Sequence, residues 1–284
     1  MTGDLMENNI LKNTIDDELK KKYNLLKEYF KDKTVIISYS GGADSLLVAK
    51  IASNAAKEHL AITIDNGFFT KQAIINSKIR AKKYNINHKI INIDYFNSEF
   101  NNKNNNIDIN IENINNDLKN RCYYCKKDIA LTIKGQLKKY DYDMIVDGTN
   151  YSDLFEDRPG IKAYKEQNIK SPLAELHITK KEVFKLLDYL DMELPKKDSC
   201  LATRILTPPI TTDKLKTVEM AENYLVNLLN IKEYFRVRTY YDIAIVEITE
   251  KDYCKLNDIK NIKQINNEFK KLGFTKCCFE LIEK

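Results

Sequence analysis

Apolar residues along this 284-residue chain follow two rhythms, and the order of the rhythms predicts the elements. Leu11, Ile15, Leu19, Leu25, Leu26 and Phe30 share one helical face and predict a helix over 11–31. The β-branched run at 34–40 predicts a buried strand, followed by a helix over 46–57. A strand at 60–67, a helix at 70–84 and a strand at 88–96 come next. Alternating strands and helices of this kind imply a parallel sheet covered by helices.

Residues 101–120 break the rhythm with a run rich in Asn, which predicts a polar loop or a loosely packed helix. The second half of RCYYCKKDIALTIKGQLKKY reads as a helix, and 142–150 as a strand closing on a polar turn. DRPG and SP mark 151–175 as loop-rich. A helix over 178–192 starts with Thr179 as cap and Glu182 three residues later. Residues 194–211 are irregular. An amphipathic helix at 212–230, one or two strands at 235–249, a helix within 257–274 and a strand at 275–283 complete the chain. The expected fold class is α/β: an open parallel sheet with helices on both faces (residues 1–205) and a small α+β C-terminal domain (206–284).

Composition adds bounds. Hydrophobic residues make up 43% and charged residues 31%, which suits a soluble globular chain. Lys and Arg number 46 against 41 Asp and Glu, so the formal charge is +5. That permits an anionic partner but gives no strong nucleic-acid signature. No stretch approaches a membrane span, and the polar N-terminus has no secretory apolar region, so a cytoplasmic location is expected. In such a compartment the six cysteines suit metal, cluster or thiol chemistry better than a disulfide framework.

The chemistry concentrates first in SYSGGADSLL, residues 38–47. Ser40, Gly41 and Gly42 fall where the first strand ends and a helix begins. Glycines there permit a tight turn, and the free N–H groups of the helix can bind phosphate oxygens. Asp44 would repel a phosphate unless a Mg²⁺ ion bridged them. An ordinary glycine turn with Asp44 and Ser45 as caps is the plain alternative. Asp65 and Asp147 each end a strand, which would place them at the carboxyl edge beside this loop; Asp65 could equally make an Asx turn. Asp147 with Thr149 and Asn150 suits Mg²⁺ or a ribose, and Asp153 suits a metal.

Cys122 and Cys125 are spaced to share one ligand, with Cys200 far along the chain. Four readings fit the spacing. They are a structural zinc with His177 or Asp198 as fourth ligand, a Cys122–Cys125 dithiol, three buried cysteines, and a [4Fe–4S] cluster on three thiolates. Arg236 and Arg238 alternate along one strand and so share a face suited to phosphate. Arg204 follows Cys200 and could hold a substrate carboxylate or phosphate. Lys126 adjoins Cys125, Lys180 opens a helix, and Glu222 is a surface glutamate or a second carboxylate of the site.

SGGADS resembles the PP-loop of the ATP pyrophosphatases, enzymes that split ATP into AMP and pyrophosphate. SYSGGADSLL, RCYYCKK, DGTNYSD, DRPGIKA, IKSPLAELHITKKEV, DSCLATRI, PITTDKL and FRVRTYYD together resemble the LarE group of ATP-dependent sulfur transferases. That resemblance implies ATP binding by Ser38, Ser40, Gly41, Gly42, Asp44, Ser45, Asp65, Asp147 and Thr149, with Mg²⁺ on Asp44 and Asp147. It implies catalytic roles for Asp44, Lys126, Glu222 and Cys200, and a substrate phosphate on Arg204, Arg236 and Arg238. Its three-cysteine branch implies a [4Fe–4S] cluster on Cys122, Cys125 and Cys200. The implied substrate is a pyridinium-dicarboxylate mononucleotide or a related small carboxylate, with a sulfide donor and a homo-oligomeric assembly. Two departures stand out: RILTPPIT lacks the usual glycine before PIT, and Ile245 replaces an arginine. The competing readings are a PP-loop tRNA thiolase or other adenylating synthetase, and a nucleotide-binding regulatory protein with structural zinc.

Overall fold

The computed structural model describes residues 14–97, 109, 111–195, 199–231 and 233–282, and only the helical backbone of 136–140. The expectations for 11–13, for the Asn-rich stretch through 108 and for Asp198 lie outside the described residues. The chain divides into two compact units. The first takes in Met1–Asn66, Lys71–Ile109 and Lys119–Asp198; the second takes in Gly67–Thr70, Asn110–Leu118 and Ser199–Lys284.

The first unit is built on four parallel strands: β1 (Thr34–Ser38), β2 (Glu58–Asp65), β3 (His88–Asn92) and β4 (Met144–Val146), in the order β3-β2-β1-β4. Its helices are α1 (Asp17–Phe30), α2 (Ala43–Ala55), α3 (Lys71–Lys83), α4 (Arg121–Tyr140), α5 (Pro159–Glu166) and α6 (Lys180–Tyr189). The β-branched run of β1 explains its central place. Val35 and Ile37 face a core shared with Leu26 and Phe30 of α1, Leu46 and Leu47 of α2, and Val183 and Leu187 of α6. Ile36 points to the opposite face and is equally buried.

The strand order reverses direction at β1. β2 and β3 extend to one side of it and β4 lies on the other, so the carboxyl ends of β1 and β4 flank a topological switch point, where open α/β sheets bind ligands.

Two elements differ from expectation. α4 begins at Arg121, so Cys122 and Cys125 lie within the helix rather than before it. Residues 159–166, expected as loop, form α5 with Pro159 in its first turn, where a missing N–H costs nothing. α5 lies against α4, and Ala163 and Tyr164 are buried.

In the second unit, β5 (Phe235–Tyr240) pairs antiparallel with β6 (Ile243–Thr249), and β6 pairs parallel with β7 (Lys276–Ile282). Helices α7 (Thr212–Leu229) and α8 (Ile259–Lys271) supply Leu225, Ile265 and Phe269 to a core with Val237, Val246 and Ile248. No described helix is long and apolar enough to cross a membrane.

Candidate active site

The loop after β1 is shaped by steric fit. Gly41 has φ +76°, and a Cβ there would sit 2.8 Å from Ser77 Cβ. Arg80 of α3 donates to the Gly41 carbonyl at 3.0 Å and fixes that peptide plane. Gly42 is the N-cap of α2 and supplies no side-chain cap. Ser45 Oγ accepts from the Ser40 N–H at 3.2 Å and donates to the Gly42 carbonyl at 3.1 Å. The first turn of α2 therefore keeps N–H groups open to an anion.

The segment after β4 closes on this turn. A Cβ on Gly148 would fall 2.5 Å from Ser45 N, so only glycine lets the two loops meet. Asp147 is buried; Ser171 Oγ donates to its Oδ1 at 2.7 Å, the Thr149 N–H donates at 3.1 Å, and Thr149 Oγ1 bonds its Oδ2. Burial pushes the Asp147 carboxyl above its usual pKa, and the Thr149 and Ser171 bonds oppose that rise. Asp44 takes a hydrogen bond from Asn150 Nδ2 at 3.1 Å and an ion pair from Lys180 Nζ. Asn150 and Asp153 form a capping box, and Arg158 pairs with Asp153 at 3.0 Å. Burial also raises the Asp153 carboxyl, against the Asn150 backbone bond and the Arg158 charge.

These groups surround a cavity of about 430 Å³, a volume suited to a nucleotide-sized ligand. Ser38, Ser40, Asp44, Ser45, Asp147 and Thr149 line it with Cys122, Lys126 and Tyr164. Lys126 Nζ donates to Tyr164 OH at 3.2 Å and stands 4.5 Å from the centre of its ring. Burial opposes the Lys126 charge, but the Tyr164 contact and the nearby Asp147 carboxylate outweigh it and hold the pKa above the usual lysine value. The cavity thus combines open backbone donors, the Lys126 ammonium, the Arg158 guanidinium and four carboxylates, those of Asp44, Asp147, Asp153 and Asp157; cations and backbone donors suit a polyphosphate, and carboxylates suit its Mg²⁺.

The other expected site residues are placed differently. Asp65 ends β2, on the side of β1 away from β4, and does not line this cavity. Cys122 lines the cavity, while Cys125 Sγ accepts from Asn66 Nδ2 at 3.3 Å. Cys200 belongs to the second unit. Among the described residues no group of three His, Cys, Asp or Glu side chains is placed to share a metal ion, so the [4Fe–4S] expectation finds no support.

In the second unit the expected phosphate ligands form an internal network. Arg204, 1% exposed, donates to Glu222 at 3.0 Å, to Ser199 Oγ at 2.6 Å and to the Cys200 carbonyl at 3.0 Å. Glu222 also accepts from the Val237 N–H at 3.0 Å. Arg236 donates to Ser199 Oγ at 3.2 Å and lies over the Tyr234 ring. Arg238 forms a bidentate pair with Glu247, and Ile245 stands opposite it across the sheet.

Gly148, Ser171 and Tyr164 were not expected at the site. A glycine immediately after the strand-ending Asp147 was the available signal for the first. The sequence offers no local signal for Ser171. Tyr164 was hidden because its helix read as loop.

A family model described as NAD synthase matches residues 13–153. The uncharacterized protein MJ0830 of Methanocaldococcus jannaschii is 40% identical over 265 residues, 93% of this chain and 96% of its own length. The uncharacterized protein slr1717 of Synechocystis is 30% identical over 261 residues, 90% of this chain and 92% of its own. Pyridinium-3,5-bisthiocarboxylic acid mononucleotide synthase of Lactiplantibacillus plantarum is 26% identical over 262 residues, 89% of this chain and 88% of its own. A solved NMN synthetase from Francisella tularensis superposes with a TM-score of 0.46 at 19% identity, over 62% of this chain and 71% of its own. The chain belongs to the family of the Methanocaldococcus and Synechocystis proteins, resembles NAD synthase over residues 13–153, and is a distant homologue of the Lactiplantibacillus synthase.

Proposed function

We propose that this protein is an ATP-dependent sulfur transferase that adenylylates a small carboxylate, releases pyrophosphate, and exchanges the activated oxygen for sulfur. The acceptor is a pyridinium-dicarboxylate mononucleotide or a close relative. One observation carries the reading: the uncapped first turn of α2, held against Gly148, opens into a cavity that also holds Asp44, Asp147 and Lys126. The similarity to the Lactiplantibacillus synthase, nearly end to end, supports the choice of acceptor.

The chemistry follows from the parts. A carboxylate oxygen leaves poorly. Its attack on the α-phosphorus of ATP breaks the bond to the bridging oxygen, and pyrophosphate departs with that electron pair. The N–H groups of the α2 turn and the Lys126 ammonium stabilise the charge that accumulates on the leaving oxygens. Asp44 and Asp147 offer the hard oxygens Mg²⁺ prefers, so the residues present fit that ion, which when bound would neutralise polyphosphate charge. A hydrosulfide then attacks the acyl carbon, AMP leaves with the former carboxylate oxygen, and the thioacid loses its proton. Cys122, which lines the cavity, is the thiol placed to handle that sulfur.

A second reading, an adenylating synthetase using ammonia, draws on the NAD synthase match over 13–153. Mass spectrometry separates the two. The protein is incubated with Mg²⁺·ATP, pyridinium-3,5-dicarboxylic acid mononucleotide and either sulfide or ammonium. Sulfur-for-oxygen exchange in the acceptor is the expected result. Amide formation would move the assignment to the second reading, and an unchanged acceptor with both nucleophiles would overturn the choice of acceptor.

A further inference from the structure

We infer that Tyr164 is a positioning residue: it accepts a hydrogen bond from Lys126 and donates its own proton to Ser38, so that the Ser38 hydroxyl faces the cavity as a donor to a phosphate oxygen of the nucleotide. This rests on the ATP-binding reading above and adds to it the polarity of one named group.

The direction of the chain follows from donor and acceptor counting. The Lys126 ammonium can only donate, and it stands 3.2 Å from Tyr164 OH. Tyr164 OH lies 2.8 Å from Ser38 Oγ, and either oxygen could supply the proton between them. A phenol is a far stronger acid than an aliphatic alcohol, and a bound ammonium polarises it further, so the phenol donates and the serine oxygen accepts. Ser38 Oγ has no other hydrogen-bond partner among the described residues, and Ser38 lines the cavity at the carboxyl end of β1. Its remaining proton therefore points at the ligand space. In the reverse direction the serine would turn a lone pair on an anion and repel it.

The packing holds this chain in one arrangement. Tyr164 is 3% exposed, and its ring lies beneath the Lys126 ammonium at 4.5 Å. The stem of Lys126 passes Gly160 so closely that a Cβ there would meet Lys126 Cγ at 2.9 Å. Lys126 is thereby kept over the ring, with its ammonium on the phenol oxygen.

A double-mutant cycle read by calorimetric titration tests the chain. Tyr164→Phe keeps the ring under Lys126 and removes only the hydroxyl; Ser38→Ala removes the hydroxyl that donates to the phosphate. The probe is Mg²⁺·α,β-methylene-ATP, which needs no acceptor. Each single variant is expected to bind about tenfold more weakly, and the double variant no more weakly than the worse single. Wild-type affinity in Tyr164→Phe, or losses that multiply in the double variant, would overturn the chain while leaving the ATP reading intact. Absence of binding by the wild type would overturn both. Should Tyr164→Phe lose its fold by circular dichroism, Ser38→Thr decides: it keeps a donor and must bind better than Ser38→Ala, and equal weakness in both would overturn the chain.

Discussion

Gly148 shows how little room the site leaves at the scale of single residues. An added methyl would sit 2.5 Å from a backbone nitrogen of the α2 turn, and backbone cannot step aside as a flexible side chain can. Gly148→Ala is expected to destabilise the fold by about 2 kcal/mol and to abolish nucleotide binding, read by denaturant unfolding and calorimetry. Asp147 beside it supplies a pH test. Burial raises its pKa, and the Thr149 and Ser171 bonds to the charged form pull it back. Removing a bond to the charged form must raise the pKa further. Thr149→Val should therefore move the acid limb of nucleotide binding to higher pH. An unmoved limb would show that Asp147 does not control it. Ser40, Asp44, Ser45 and Asp147 line the cavity, and their place was legible because each falls just after a strand or in the helix turn that follows it. Gly148 and Ser171 were not, because a close approach is a property of two segments and neither carries it alone.

Among the elements, the strands and most helices follow from periodicity, and β1 to β4 fall where the β-branched runs lie. The start of α4 does not follow. Arg-Cys-Tyr-Tyr-Cys has modest helix propensity, and the close contact with α5 overrides it. Pro159 was read as a turn marker, yet it occupies the one part of a helix that tolerates proline. α6 was read correctly, with its Thr179–Glu182 capping box formed as the sequence indicated. Thr179→Ala should cost about 1 kcal/mol of stability by chemical denaturation. Fraying of that end also frees Lys180, the first helical residue, from Asp44, so nucleotide affinity should change alongside stability. A change in stability with affinity untouched would separate the helix start from the site.

At the scale of the whole molecule, the chain carries two units with separate cores, and the expected functional residues divide between them. The first unit holds the α2 turn and the cavity proposed to bind ATP. The second holds Cys200 and the arginines, whose guanidinium groups are engaged by Glu222, Ser199 and Glu247. Those pairings were invisible in the sequence, because an alternating Arg pattern on a strand looks the same whether it faces a ligand or an internal carboxylate. The three cysteines gave a spacing but no geometry, which is why the spacing alone admitted four readings.

On the proposed function, ATP bound at the α2 turn is cleaved between its α- and β-phosphates. The most direct measurement is the fate of ATP in the presence of Mg²⁺, sulfide and pyridinium-3,5-dicarboxylic acid mononucleotide, followed by phosphorus NMR. AMP and pyrophosphate are expected in equal amounts, formed only when the carboxylate acceptor is present. ADP and inorganic phosphate, or tight ATP binding with no cleavage, would contradict it.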